Sequence, residues 1–422
     1  MTYEETLAWL YHLEVSRGWD LKLESVRDAL SRLDSPQQEF PAVHVAGTNG
    51  KGSTAAFAHS VLTHSGRRVG LFTSPHLSDF RERIRVGDER VSREAVVDLV
   101  DEIRIRLVGS GVELTFFEFT TVMAFLHFAR QRVDASVIEV GLGGRLDATN
   151  VVVPRVAVVT TIGFDHERYL GSTLAAIAAE KAGIFKPAVP AVVGRVVGEA
   201  LDVLLGVAAE RRSPLRLLGR DFHAEIRAGG FDYRGRRTIR GLQPGLAGRF
   251  QVDNAAVALA ALEDGGWLDE IPDDVVSSGV GGVVWPGRLE ILRERPRVVV
   301  DGAHNPAGIA ALADELAAIA NGRPVHLVFG ALADKRWAEM AERLAGVVAD
   351  VVVVPVRERR SVSPALVAEV FRALVPTRVE TSATAAVDAW LDDPTCAADV
   401  VVVAGSLFLV GEVRAHLLET NR

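Results

Sequence analysis

The sequence predicts an α/β protein with a P-loop-like, mostly parallel N-terminal sheet flanked by helices. A small antiparallel excursion interrupts that sheet, and a smaller Rossmann-like α/β domain follows it. Three observations predict this. Apolar β-branched runs recur without polar alternation at 41–46, 68–72, 135–140, 156–162 and 191–195, as expected of strands buried on both faces of a parallel sheet. Helix-like stretches at 53–64, 119–130, 173–182 and 253–263 alternate with them, and Gly183 and Pro187 act as stop signals after one of these. A glycine-rich turn, Gly47-Thr-Asn-Gly-Lys-Gly-Ser53, joins the first strand to the first of these helices.

Short alternating pieces from 221 to 240, with Gly229-Gly230 and Arg234-Gly-Arg, predict the antiparallel excursion. The turn-forming Val283-Val-Trp-Pro-Gly287 then breaks the pattern, which places a boundary between domains 1–285 and 286–422. Beyond it, strands are expected at 297–300, 325–329, 351–355 and 400–404, with helices at 307–319, 337–344, 364–374 and 383–391.

With 422 residues, 48% of them hydrophobic and 24% charged, the chain can bury two substantial cores. Its formal charge of -8 disfavours nucleic-acid and anionic-membrane partners, so any phosphate binding must be local. Cys396 is the only cysteine, which excludes an intrachain disulfide and a thiolate cluster; a metal is expected to use oxygen or nitrogen ligands. The acidic start Met1-Thr-Tyr-Glu-Glu-Thr has no basic segment ahead of an apolar core, and no apolar run reaches membrane-spanning length. A cytoplasmic protein is expected.

The glycine turn has phosphate-binding character. Glycines let backbone N–H groups approach an anion, Lys51 adds a point charge, and the following helix presents its positive end. The spacing differs from the usual P-loop, because Gly47 and Gly50 are three apart and Gly52 separates Lys51 from Ser53. A generic GTPase is therefore disfavoured. A glycine turn that binds nothing would not need the lysine.

Other polar residues gather at strand ends, where open α/β sheets place their ligand crevice. Glu139 lies in an apolar strand before the glycine turn Gly141-Leu-Gly-Gly-Arg-Leu-Asp147, and burying its charge is costly unless it is paired or binds a cation. A structural ion pair would explain a lone glutamate, whereas a phosphate loop that needs Mg²⁺ favours metal ligation by a hard oxygen. His166, in Thr161-Ile-Gly-Phe-Asp-His166, can ligate as neutral imidazole or serve structure alone. Ser74-Pro-His76 adds a hydroxyl or marks a turn. Asp301, in Asp301-Gly-Ala-His304-Asn305, can accept from ribose hydroxyls, cap the following helix, or do both. Arg288 either reaches phosphates or is a surface arginine.

Taken in order, these segments resemble the Mur ligase superfamily, and within it the folylpolyglutamate synthases, which are often bifunctional with dihydrofolate synthase. The resemblance spans nearly the whole chain. Besides the segments above, it rests on Glu82-Arg-Ile84, Phe117-Glu118-Phe119, Ala148-Thr-Asn150, Glu180-Lys-Ala-Gly183, Asp253-Asn254-Ala255 and Pro286-Gly-Arg288. It implies that Thr48, Asn49, Gly50, Lys51, Gly52 and Ser53 hold ATP phosphates, and that Asn254, Arg288 and Asp301 complete the ATP site. Ser74, Glu139 and His166 would ligate Mg²⁺, with two metal sites expected. Thr115, Phe116, Phe117 and Glu118, with Leu146, Asp147 and Ala148, correspond to elements lining the pteridine site, and His304 and Ser406 to positions associated with glutamate. Lys51, His166 and Lys181 would be the catalytic set, and Lys181 matches a lysine carbamylated in this superfamily; a plain lysine at a helix C-terminus is the alternative.

The implied chemistry is ATP-dependent ligation of L-glutamate to a folate, and to dihydropteroate, through an acyl phosphate, with domain closure excluding water. A monomer is expected. The chain departs from its relatives at Lys22 and Ser25, where they tend to carry Gly and Arg, and 14–19 is shorter than in bifunctional relatives, so polyglutamylation is the better supported activity. Two rival readings are a Mur-type ligase acting on a cell-wall precursor and a nucleotide-dependent switch without ligase chemistry. The 142–147 run and the 47–53 loop speak against the first, and hydrolysis independent of glutamate would mark the second.

Overall fold

A computed structural model describes residues 1–17, 22–396 and 398–420. Of the departing positions 14–19, Lys22 and Ser25, residues 18 and 19 lie outside the described residues. The chain divides into two compact units, the first comprising 1–162, 170–245 and 251–284, the second 163–169, 246–250 and 285–422. The long segment of the second unit starts at Trp285, within the Val283–Gly287 turn. Two short pieces of the expected first domain, however, group with the second unit. Asp165 is bonded there to Asn305 and Lys335, Glu167 to Arg336, and the Arg249 N–H to Glu315.

In the first unit the strands β1 (Ala42–Ala46), β2 (Val69–Phe72), β3 (Ile84–Val86), β4 (Glu89–Arg90), β5 (Ala135–Glu139), β6 (Val156–Val159), β7 (Ala191–Val193) and β8 (Leu215–Leu217) form one sheet. Their order is β4-β3-β2-β5-β1-β6-β7-β8, with β2 through β8 parallel and β3 and β4 antiparallel at the edge. At three and two residues these strands are too short to carry a buried-strand signal, and the charges of β4, Glu89 and Arg90, keep the edge from pairing further. β1 is central and wholly buried, with β5 and β2 on one side and β6 to β8 on the other. The chain thus reverses its winding direction about β1, the position where doubly wound sheets form their crevice.

Helices cover both faces. Phe116–Gln131 starts before the expected residue 119 because Thr115 and Glu118 form a capping box: Glu118 N–H donates to Thr115 Oγ1 and Thr115 N–H to the Glu118 carboxylate. This helix packs Phe119, Val122, Phe125 and Phe128 into an apolar layer with Leu30, Phe40 and Ile84. Ala178, Ala182, Phe185 and Leu204 build the opposite layer against β6 and β7. Helices Tyr3–Arg17, Glu24–Ser31, Arg93–Leu107, Glu199–Arg211 and Asp273–Gly281 are found in the first unit beyond the sequence expectations. The excursion is a three-stranded antiparallel sheet of β9 (His223–Arg227), β10 (Gly230–Arg234) and β11 (Thr238–Leu242).

In the second unit, β12 (Glu290–Glu294), β13 (Arg297–Val300), β14 (Val325–Phe329), β15 (Asp350–Val353), β16 (Thr377–Val379) and β17 (Val400–Ala404) are ordered β12-β13-β17-β14-β15-β16. All are parallel except the edge strand β12. The core is Val299, Leu327, Phe329, Val351 and Val402 against Ile309, Leu316, Met340 and Phe371 of the helices.

Candidate active site

Each unit carries one constellation of the expected residues. In the first, β1 runs into the 47–50 loop, and helix Lys51–His64 starts at Lys51 with Gly50 as its cap at φ 84°. Gly50 must be glycine twice over, since its φ is left-handed and a Cβ would collide with Asn254 Oδ1. Asn254, held by Gln251 at 2.9 Å, therefore lies against the loop. The loop is pinned to the end of β6 through Thr48 N–H to the Thr161 carbonyl (2.8 Å), Asn49 N–H to Thr161 Oγ1 (3.0 Å) and the Thr160 hydroxyl to the Asn49 carbonyl (2.6 Å). Two ammonium groups converge on a single carbonyl. Lys51 Nζ donates to the Gly47 and Thr48 carbonyls at 3.0 and 3.1 Å, and buried Lys181 Nζ to the Gly47 carbonyl at 2.9 Å. Gly52 and Ser53 follow in the first helical turn and are buried.

Glu139 ends β5 beside β1, buried, and accepts from the Ser74 N–H at 3.0 Å. These two expected ligands are thus brought together. Asp147, by contrast, spends its carboxylate locally: Gly141 and Leu142 N–H donate to one oxygen at 3.0 and 2.9 Å, and the Thr149 N–H donates to the other at 3.0 Å. It closes the loop that carries Leu146 and Ala148. That loop seats on the end of helix Leu174–Ala182, where Arg145 pairs with Glu180 and Asn150 Nδ2 donates to the Gly183 carbonyl at 3.1 Å. Two motifs distant in sequence, Glu139–Asn150 and Glu180–Gly183, form one support around Lys181.

Thr115 and Glu118 cap their helix, while the two phenylalanines between them face different neighbours. Phe117 packs on Phe72, centroids 5.9 Å apart, and fills the space a Cβ at Gly141 would need. Phe116 stacks on Tyr11 at 5.7 Å and lies under the Arg83 guanidinium at 5.1 Å. Arg83, Tyr11 and His76 belong to this neighbourhood; His76 and Arg83 lie in the 74–76 and 82–84 segments without an assigned role, and nothing in the sequence singles out Tyr11. Arg83 Nε donates to His76 Nδ1 at 2.8 Å. Burial pulls the Arg83 guanidinium down to about 10 and, with Arg83 beside it, His76 to about 3.

In the second unit Asp165 is the hub. It accepts from Lys335 Nζ at 2.6 Å, Asn305 Nδ2 at 3.0 Å and the His166 N–H at 2.8 Å, with His304 Nε2 3.5 Å away. His166 Nε2 lies 3.2 Å from Lys335 Nζ. Burial alone would raise the Asp165 carboxyl, but the His304 contact and the charges of His304, His166 and Lys335 hold it far below the usual carboxylate range. His304 Nδ1 faces the Gly302 carbonyl at 2.7 Å. Asn305 Oδ1 also caps helix Pro306–Ala320 through the Gly308 N–H. Asp301, at the end of β13, accepts from the Leu289 and Ala303 N–H groups at 2.9 and 2.8 Å, and burial raises its carboxyl against the pull of Arg288. Arg288 Nη1 donates to the Gly287 carbonyl at 3.0 Å. Ser406 follows β17, buried, with its Oγ accepting from the Phe408 N–H at 3.3 Å. Lys335 is the partner of this hub that strand-end reasoning misses, as it also misses Arg336, which pairs with Glu167 nearby; Asn305 stands in the 301–305 motif without a role.

A lysine-bearing glycine loop at the sheet's reversal point, with a buried carboxylate at the neighbouring strand end, defines a nucleotide-dependent enzyme. Residues 45–262 match the Mur ligase middle domain and residues 287–407 the Mur ligase glutamate ligase domain, which makes the class a Mur ligase. Folylpolyglutamate synthase of Lacticaseibacillus casei is 36% identical over 433 residues, covering 99% of each chain. The dihydrofolate synthase/folylpolyglutamate synthase of Escherichia coli is 35% identical over 415 residues, covering 98% of this chain and 94% of the relative. The solved structure of E. coli FolC in complex with DHPP and ADP matches with TM-score 0.92 at 34% identity, over 99% of this chain and 98% of that one. Mycobacterium tuberculosis folylpolyglutamate synthase complexed with ADP matches with TM-score 0.90 at 33% identity, over 98% and 99%. The chain belongs to the folylpolyglutamate synthase/dihydrofolate synthase family of ATP-dependent Mur ligases.

Proposed function

We propose that this chain adds L-glutamate to folates, and to dihydropteroate, with ATP converting the acceptor carboxylate to an acyl phosphate. The carboxylate oxygen attacks the γ-phosphorus and ADP leaves; the glutamate amine then attacks the acyl carbon and inorganic phosphate leaves. The observation that carries this reading is the loop at Gly47, where Lys51 and Lys181 share one carbonyl beside helix-end N–H groups.

Thr48 to Ser53 are assigned to the ATP phosphates, with Lys51 turning from the loop carbonyls to the anion. Asn254, Arg288 and Asp301 are assigned to the rest of the nucleotide. Thr115 to Glu118 and Leu146 to Ala148 are assigned to the pteridine, the latter through the loop that Asp147 holds closed. His304 and Ser406 are assigned to glutamate. The donor set of Ser74 hydroxyl, Glu139 carboxylate and His166 imidazole fits Mg²⁺, and two such ions are proposed. When bound, Mg²⁺ neutralises phosphate charge. The remaining charge falls to Lys51 and Arg288, which stabilise the transferring phosphoryl group. Residues 1–285 would supply the ATP-binding domain and 286–422 the glutamate-binding domain of a cytoplasmic monomer.

Lysine occurs only at 22, 51, 181, 186 and 335, arginine carrying the other basic positions. A primary amine can add CO₂ to form a carbamate and a guanidinium does not, which supports a carbamate on buried Lys181. Electron density for a bare ammonium with both metals bound would remove that assignment. Mass spectrometry of products formed from ATP, glutamate and either dihydropteroate or a tetrahydrofolate tests the function. Acceptors heavier by one or more glutamyl residues are expected; ADP release without a glutamylated product would refute it.

A further inference from the structure

Opposite the catalytic strand ends, the N-terminal edge of the second sheet gathers chemically different donors. His326 is near the start of β14, Asp350 opens β15, and Asp399 immediately precedes β17. β14 is paired with both other strands, with His326 in register with Asp350 and Val401, so three adjacent strand entries meet there. Cys396, in the turn before β17, brings its thiol to the same point. The imidazole, thiol and carboxylate donors of His326, Cys396 and Asp399 all lie within 4.8 Å of one another. Asp301 and Ser406, assigned above to the reaction, sit at the far ends of β13 and β17.

We propose that His326, Cys396 and Asp399 form a second metal site, for a thiophilic divalent cation of the zinc type. Three protein ligands of mixed nitrogen, sulfur and oxygen character, with a position left for water, are a zinc donor set, and magnesium does not choose a thiolate. The arrangement around His326 is the independent support. Asp350 Oδ2 lies 2.7 Å from Nδ1, and Nε2 faces Asp399 at 3.1 Å. Without metal both ring nitrogens face carboxylates. When Nε2 loses its proton and binds a metal shared with Asp399, Asp350 keeps the proton on Nδ1, as the usual outer partner of a ligating histidine does. Trp390 packs on the ring at 5.4 Å with Arg378 over the indole at 4.7 Å, which holds the imidazole plane. On binding, the Cys396 S–H and any proton on Nε2 are released to solvent, and the donors draw in to bonds of about 2.0–2.3 Å. The site ties the turn at Cys396 to β14.

Because Cys396 is the only cysteine, a thiolate signal reports this site alone. Chelator-treated full-length protein titrated with Co²⁺ is expected to develop a thiolate-to-cobalt charge-transfer band that saturates at one equivalent and is bleached by Zn²⁺. The band disappears in Cys396→Ser, and Co²⁺ affinity falls at least about 10-fold in His326→Gln and about 10-fold in Asp350→Asn. Far-ultraviolet circular dichroism of each variant establishes that it is folded; Cys396→Ser, the near-isosteric change in a turn, carries the test should His326→Gln not fold. Co²⁺ in the oxygen- and nitrogen-lined catalytic site gives no such band. No charge-transfer band in the wild-type protein, or one undiminished in folded His326→Gln, overturns the proposal.

Discussion

The two constellations are built from different materials. The 47–53 loop of the first unit is a backbone device, in which glycines, strand-end threonines and two lysines act on carbonyl and N–H groups. The Asp165 hub of the second unit is a side-chain device, in which one buried carboxylate holds a lysine, an asparagine and two histidines. A backbone cradle keeps its shape when a cation is removed, because its hydrogen bonds run elsewhere. A hub does not, because its partners are left without their common acceptor. The difference separates residues whose loss costs activity alone from residues whose loss also costs stability.

The largest effect on activity is expected at Lys51. Lys51→Ala should lower kcat/KM for glutamate ligation by at least about 10²-fold, the cost of removing a donor aimed at transition-state charge. Its unfolding midpoint should stay within a degree or two of wild type, since the loop's threonine contacts remain. A large loss of thermal stability would erase the contrast. Asp165→Ala should behave oppositely in kind, leaving buried Lys335 uncompensated at a cost of about 3–5 kcal/mol. Denaturant unfolding followed by hydrogen exchange across 163–169 and 335–339 checks it; wild-type protection in those segments would contradict the hub.

Acid should sharpen the comparison more gently. His44, His59, His76 and His127 of the first unit are buried neutral, pulled down to about 3, 4, 3 and 4 by desolvation and by nearby Lys186, Arg85, Arg83 and Arg68. A histidine depressed in the fold binds its proton only on unfolding, so stability falls as pH drops below about 6.5, by about 2 kcal/mol for His44 alone at pH 5. Asp165 has the ordinary carboxylate sign: its depressed value stabilises above about pH 3.9, and that contribution is lost only as pH falls further. In metal-free protein His326, raised by Asp350 and Asp399, instead favours the fold on the acid side and loses that contribution as pH rises through its folded value. Exchange protection, corrected for intrinsic rates, should therefore fall between pH 7 and 5 in the first unit before the second.

How legible each device was follows from its construction. The cradle was readable because glycine and lysine spacing is local, and positive φ at Gly47 and Gly50 demands the residues found there. Glu139 and Ser74 were readable as strand-end polar residues and do meet. The hub was not, because Lys335 reaches Asp165 across a separation of 170 residues with nothing in its own surroundings to announce it. Arg83 stands in the 82–84 segment, but its stacking over Phe116 and its bond to His76 depend on partners that segment does not name. The edge strands β4 and β12 and the three-residue β3 escaped because strands this short or this rich in charge have no apolar run to read. Asp147 in its loop and Asp301 at its strand end show that a carboxylate can spend its oxygens on neighbouring N–H groups, and spacing alone cannot reveal that.

The central claim is that ATP is spent on the acceptor carboxylate rather than on water. Acceptor folate carrying ¹⁸O in its carboxylate, incubated with the enzyme, ATP and glutamate, tests it directly. Attack by that carboxylate on the γ-phosphorus predicts one ¹⁸O transferred to inorganic phosphate for every amide formed. Phosphate carrying oxygen from solvent alone, with the label retained in the acceptor, would contradict the account.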